Sequence, residues 1–144
     1  EKISTVEASM DALPFKKEAF DIIWSEGAIY IIGFEQGIKQ WRAYLKPGGY
    51  LAVSELTWIT NSRPKEIEDF WTKEYPEIDT ASNKINILEN NGYSLVNYFY
   101  LSPESWIENY YKPLEARFED FLERNNNAAC TKNGKEANQS FERT

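Results

Sequence analysis

The sequence predicts an α/β fold built on a parallel sheet, and three observations carry that prediction. Residues 20–25 form a nearly continuous apolar run, Phe34, Ile38, Trp41 and Leu45 recur at helical spacing, and residues 50–55 form a second apolar run. Runs of this kind belong to strands buried on both faces of a parallel sheet, and the stripe between them belongs to the crossover helix. A strand, helix and strand so joined make a unit that is almost always right-handed.

Taken in order, residues 3–8 have the β-branched content of a short strand that runs into a polar loop. Lys46-Pro47-Gly48-Gly49 stops the crossover helix, because proline cannot continue it and the glycines take up the turn. Pro64 stands where a first helical turn accepts proline, and Ile67, Phe70, Trp71 and Tyr75 continue an apolar helical face. Thr80 is an N-cap for a helix that ends before Gly92, with Ile85 and Leu88 inward. Residues 93–101 are rich in aromatics and alternate, which suits an edge or antiparallel strand. After Pro113, Leu114, Phe118, Phe121 and Leu122 mark a last helix, and from Asn125 the composition reads as a loop with a weak helix. No linker divides the chain, so residues 1–124 are assigned to one domain and residues 125–144 to its tail.

With 144 residues the chain has room for one ordinary core. Aromatics at 15% are enough to line a cleft wall as well as that core. The net charge of −7, with no cluster of Lys or Arg, argues against a nucleic-acid partner, which demands phosphate neutralisation. Residues 63–124 hold thirteen acids against seven bases, the composition of a solvated helical surface. Cys130 is the single cysteine, so no disulfide framework and no multi-cysteine metal site is expected, and a reducing, cytoplasmic setting fits best. There is no run of the roughly twenty apolar residues that a membrane span requires, and the first residues do not look like a signal peptide.

The chemistry concentrates at loops beside the two predicted strands. Asp11 offers only acceptors, which suits an exocyclic amine donor, while the amide of Met10 can donate to a ring nitrogen; the plainer alternative is a turn aspartate. Ser25, Glu26 and Gly27 lie past a buried strand end, where open α/β sheets place their ligands, and the small Gly27 permits close backbone approach. Glu26 supports a positive ligand centre or orients a substrate hydroxyl or amine, or else only complements a helix dipole. Tyr30, one turn later, and Trp58, after the next strand, present rings to a cation or pack in the core. The chain has no histidine, so any base within it is Glu, Asp or Tyr. The Gly48-Gly49 pair precedes a strand, the wrong side for a phosphate cradle, and Lys46 is read as solvated.

In order and spacing, Ser9-Met10-Asp11-Ala12-Leu13-Pro14-Phe15, then Phe20-Asp21-Ile22-Ile23-Trp24-Ser25-Glu26, then Leu45-Lys46-Pro47-Gly48-Gly49-Tyr50-Leu51, resemble the latter half of a class I S-adenosylmethionine-dependent methyltransferase. The resemblance covers roughly residues 3–101. It implies a Rossmann-like sheet with helices on both faces, S-adenosyl-L-methionine as cofactor and a small-molecule methyl acceptor. It also implies that Met10, Asp11, Ala12 and Leu13 border the adenine and that Ser25, Glu26 and Gly27 border the methionine part. By position and residue type, Glu26 and Tyr30 are the candidates for catalysis and Tyr30 and Trp58 for the acceptor, although members of the family often carry histidines around the place of Tyr30.

The family's glycine-rich loop, which follows its first strand, has no counterpart here, and together with a start at Glu1 this reads as a fragment. In the family's strand order only residues 20–25 and 50–55 keep their neighbour, so the first strands and the last are expected to be missing. Bare apolar edges invite pairing with another chain, so residues 1–144 alone are expected to be inactive and no stable monomer able to bind S-adenosylmethionine, and to occur in a longer chain, a homo-oligomer or an intertwined assembly. The alternative is a methyltransferase-like module without catalysis that binds a protein partner through residues 93–111. A dehydrogenase of similar fold comes third, and it lacks the acidic Leu-Pro-Phe segment.

Overall fold

The computed structural model describes residues 3–124. Cys130 and the weak helix expected near the end of the chain lie outside the described residues. The described residues contain strands and helices in alternation, an α/β arrangement, and they fall into two compact units that divide after Val96.

The first unit is built on β1 (Phe20–Glu26) and β2 (Leu45–Ser54), which pair in parallel with Ile22 opposite Tyr50 and Glu26 opposite Ser54. Between them run a 3₁₀ turn (Ile29–Ile32) and α1 (Phe34–Arg42), so the expected strand, helix and strand is present. Leu45 does not belong to the helix. The helix ends at Arg42, and residues 46–49 form a bulge between the pairs Phe20–Leu45 and Ile22–Tyr50, with Gly48 at φ +77°. Such an extra loop in one strand needs a residue free to take positive φ. Lys46 is exposed, as expected, and its Nζ also donates to both carboxylate oxygens of Asp21, at 2.9 and 2.8 Å.

Ile29, Phe34, Ile38 and Trp41 form the core, and Ile23, Leu51 and Val53 pack against it from one face of the sheet. Period-two alternation sends Ile22 and Trp24 to the other face, where they are 51% and 69% exposed, with Tyr50 at 59%. Burial on both faces, expected of β1, is therefore not what the described residues show. Gly37 explains how close α1 comes to the 3₁₀ turn, since a Cβ there would stand 2.6 Å from Ile29 Cγ1.

Beyond β2 lies a second, shorter parallel pair, β3 (Thr57–Trp58) with β4 (Asp79–Thr80), and between them α2 (Lys65–Glu74). Pro64 caps α2 from just outside, its carbonyl accepting from Ile67 and Glu68. Thr80 caps α3 (Ala81–Asn90) as expected, its hydroxyl accepting from the Asn83 amide at 3.3 Å.

Two expected strands do not form. Residues 3–8 and 93–101 have no ladder with any described residue. A β-branched or aromatic segment becomes a strand only when a neighbour satisfies its backbone. Leu95, Val96, Tyr98, Phe99, Tyr100 and Leu101 are accordingly exposed.

From residue 103 the described part of the second unit is mainly helical, and its helices begin earlier than the sequence suggests. α4 (Pro103–Trp106) leads through a π-helical stretch (Ile107–Tyr111) into α5 (Lys112–Glu115), and α6 (Phe118–Arg124) follows a turn. Pro113 lacks an amide hydrogen and its ring crowds the preceding turn, which accounts for widening just before it. Among the described residues no helix is long and apolar enough to cross a membrane.

Candidate functional site

The carboxyl ends of β1 and β2 stand side by side because the two strands are parallel and in register to their last pair, Glu26 with Ser54. Gly27 then turns the chain away at φ +53°, its amide donating to the Ser54 carbonyl (3.2 Å) and hydroxyl (2.9 Å). A Cβ on Gly27 would meet nothing within 4 Å, so open space adjoins the backbone here. Ser25 is half-buried, and Glu26 is exposed with Oε1 accepting from Trp24 Nε1 at 2.8 Å.

The Ser9–Leu13 loop is anchored from beneath by α1 and the residues after it. Trp41 Nε1 donates to the Met10 carbonyl at 3.5 Å and the Tyr44 hydroxyl to the Leu13 carbonyl at 3.2 Å, while Met10 and Leu13 pack on the core. That leaves Asp11 and Ala12 exposed at the tip, where the Ala12 amide closes a turn onto the Ser9 carbonyl at 3.1 Å. The Ser9 hydroxyl donates to Asp11 Oδ1 and orients the carboxylate. Both loops are thus fixed to one core, since Ile29 after Gly27 belongs to the same cluster.

Tyr30 is half-exposed and meets Tyr75 edge to face, ring centroids 5.8 Å apart. Trp58 does face a cation, but one supplied by this chain: Arg63 Cζ lies 4.2 Å from its ring centroid. That contact occupies one side of the ring expected to serve an acceptor.

A further group escapes the sequence reading. Lys84 is 4% exposed, and its Nζ donates to the Tyr75 hydroxyl at 2.7 Å while standing 4.4 Å from the Phe34 ring centroid. The Tyr75 hydroxyl also has beside it the carboxyl of Glu55, the first residue beyond β2. Burial pushes the Lys84 ammonium below its ordinary value, against the pull of Glu55, Glu77 and Asp79. Burial likewise raises the Glu55 carboxyl and, with Glu55 beside it, the Tyr75 phenol. One signal was available: Ala81, Lys84, Ile85 and Leu88 share a helical face, so Lys84 stands at an inward position.

The family model described as a methyltransferase domain matches residues 1–53. The matched stretch takes in the Ser9–Leu13 loop, β1, α1 and all but the last residue of β2, and it ends two residues before Glu55. No curated protein matches the chain.

Proposed function

We propose, from the methyltransferase domain that residues 1–53 match, that the full-length protein transfers a methyl group from S-adenosyl-L-methionine to a small-molecule acceptor. One observation carries the reading. The residues that match the family are those that set two loops, Ser9–Leu13 and Ser25–Gly27, on one core beside parallel strand ends.

The side chains suit such a ligand. Asp11 is an exposed acceptor for the adenine amine, with the Met10, Ala12 and Leu13 backbone beside it. Gly27 and Ser25 leave room for the methionine part, and Glu26 complements a positive centre there. When bound, the cofactor supplies a methyl group on a sulfonium sulfur. The task of the protein is then to align acceptor and methyl, and alignment supplies most of the acceleration for such a displacement. Tyr30, half-exposed just beyond Gly27, is assigned to the acceptor side. Trp58 joins it only with the face that Arg63 leaves open.

A second reading, a module that binds a protein partner, draws on the exposure of Val96 and Phe99, each 78%. Calorimetry of the full-length protein with S-adenosylmethionine separates the two. The methyltransferase binds it, and Asp11→Ala weakens binding by about 1 kcal/mol, the net worth of one exposed hydrogen bond. No binding by the wild-type protein favours the module, and an unchanged affinity in the variant removes Asp11 from the site.

A further inference from the structure

Residues 27–34 join the end of β1 to the start of α1, and they are held at three points. At the first, the Gly27 amide donates to Ser54, the last residue of β2. The other two are supplied from residues 75–84, beyond α2. The Tyr75 ring, 8% exposed, backs the half-exposed Tyr30 edge to face, with centroids 5.8 Å apart. At the far end Gly33 is the N-cap of α1 and offers no side-chain acceptor, and the Phe34 amide donates instead to Glu77 Oε2 at 2.7 Å. The approach is close, because a Cβ on Gly33 would stand 3.2 Å from Glu77 Oε1. Lys84 ties these two points together: it is buried, its Nζ donates to the Tyr75 hydroxyl at 2.7 Å, and the same atom stands 4.4 Å from the Phe34 ring centroid. The Glu77 charge also attracts it.

We propose that Tyr75, Glu77 and Lys84 are positioning residues for methyl transfer, a clamp that holds residues 27–34 in their ligand-bound form before the cofactor arrives. The inference rests on the methyl-transfer reading above, in which residues 25–27 border the methionine part of the cofactor and Tyr30 faces the acceptor. A connection of this length is ordered either by the protein or by the ligand, and ordering left to the ligand is subtracted from its affinity. The clamp removes that cost. Tyr30 depends on it most, since half of its surface is in water and the Tyr75 ring is what fixes its direction. Burying the Lys84 ammonium is unfavourable by itself, and the Tyr75 hydroxyl, the Phe34 ring and the Glu77 charge offset the loss of water around it. All three partners belong either to the clamp or to the connection it grips.

The test uses the full-length protein, with S-adenosylmethionine as the probe in calorimetry and with amide hydrogen exchange followed over residues 28–34 and over β1 and β2. Glu77→Ala removes the acceptor of the Phe34 amide, Glu77→Gln keeps one, and Lys84→Met releases the Tyr75 hydroxyl while filling similar space. Glu77→Ala and Lys84→Met are expected to exchange faster over residues 28–34 alone, to regain protection when S-adenosylmethionine is bound, and to bind it about tenfold more weakly. Glu77→Gln is expected to stay within about twofold of the wild type. A wild-type affinity in folded Glu77→Ala or Lys84→Met overturns the proposal, and so does a loss in Glu77→Gln as large as in Glu77→Ala. Protection lost from the two strands as well, or a Glu77→Ala variant that does not fold, makes the clamp structural and overturns it too. A wild type that does not bind S-adenosylmethionine overturns the methyl-transfer reading itself, and the positioning role falls with it; every other failure leaves that reading standing.

Discussion

Single residues at this site are held by partners that the spacing of the sequence does not name. Glu26 is fixed by the Trp24 indole two residues earlier on the same side of the strand, and Asp11 by the Ser9 hydroxyl. Because Glu26 is exposed and glutamine keeps an acceptor for the indole, Glu26→Gln is expected to leave the melting temperature unchanged. Turnover is expected to fall by about tenfold, the size of a modest electrostatic contribution to the transition state. A variant that melts early yet keeps its rate makes Glu26 structural. Trp58 shows the limit of composition at this scale, since an aromatic expected to meet a ligand cation meets Arg63 instead. Only the path of the chain between β3 and α2 brings that guanidinium to the ring.

At the scale of elements, α1 is placed by a missing side chain as much as by its apolar stripe. Gly37 is buried, and an added Cβ would stand 2.6 Å from Ile29 Cγ1 and 3.0 Å from its Cδ1. Alanine is the better helix former by about 1 kcal/mol, but overpacking a closed core costs about 1–3 kcal/mol. Ile29 is fully buried, so Gly37→Ala is expected to lower stability in denaturant titration by about 1 kcal/mol net. A more stable variant shows that the 3₁₀ turn is free to shift. The stripe Phe34, Ile38 and Trp41 was legible because helical periodicity is local. The end of α1 was not, because Leu45 continues the stripe in sequence while the pairing Phe20–Leu45 draws it into β2.

For the molecule as a whole, the uncovered side of the β1–β2 pair is the dominant feature. Ile22, Trp24 and Tyr50 lie together on it, and isolated two-stranded sheets have little stability in water. Sedimentation of the 144-residue chain is therefore expected to show association that grows with concentration, and Ile22→Lys is expected to reduce it. A single monomeric species at every concentration, with a cooperative melt, removes the apolar face as an interface.

The sequence by itself determined the parallel pair, the crossover helix, the capped helix after Thr80 and the loops at Asp11 and Gly27. Those follow from local periodicity, turn chemistry and chain order. The tertiary structure alone decided that residues 3–8 and 93–101 stay without a ladder among the described residues, because a strand exists only in its neighbour. It also decided that the buried Lys84 donates to Tyr75, on a different segment, with the Glu55 carboxyl beside them. No local pattern encodes that meeting, which depends on how α3 and the turn after α2 pack beside the end of β2.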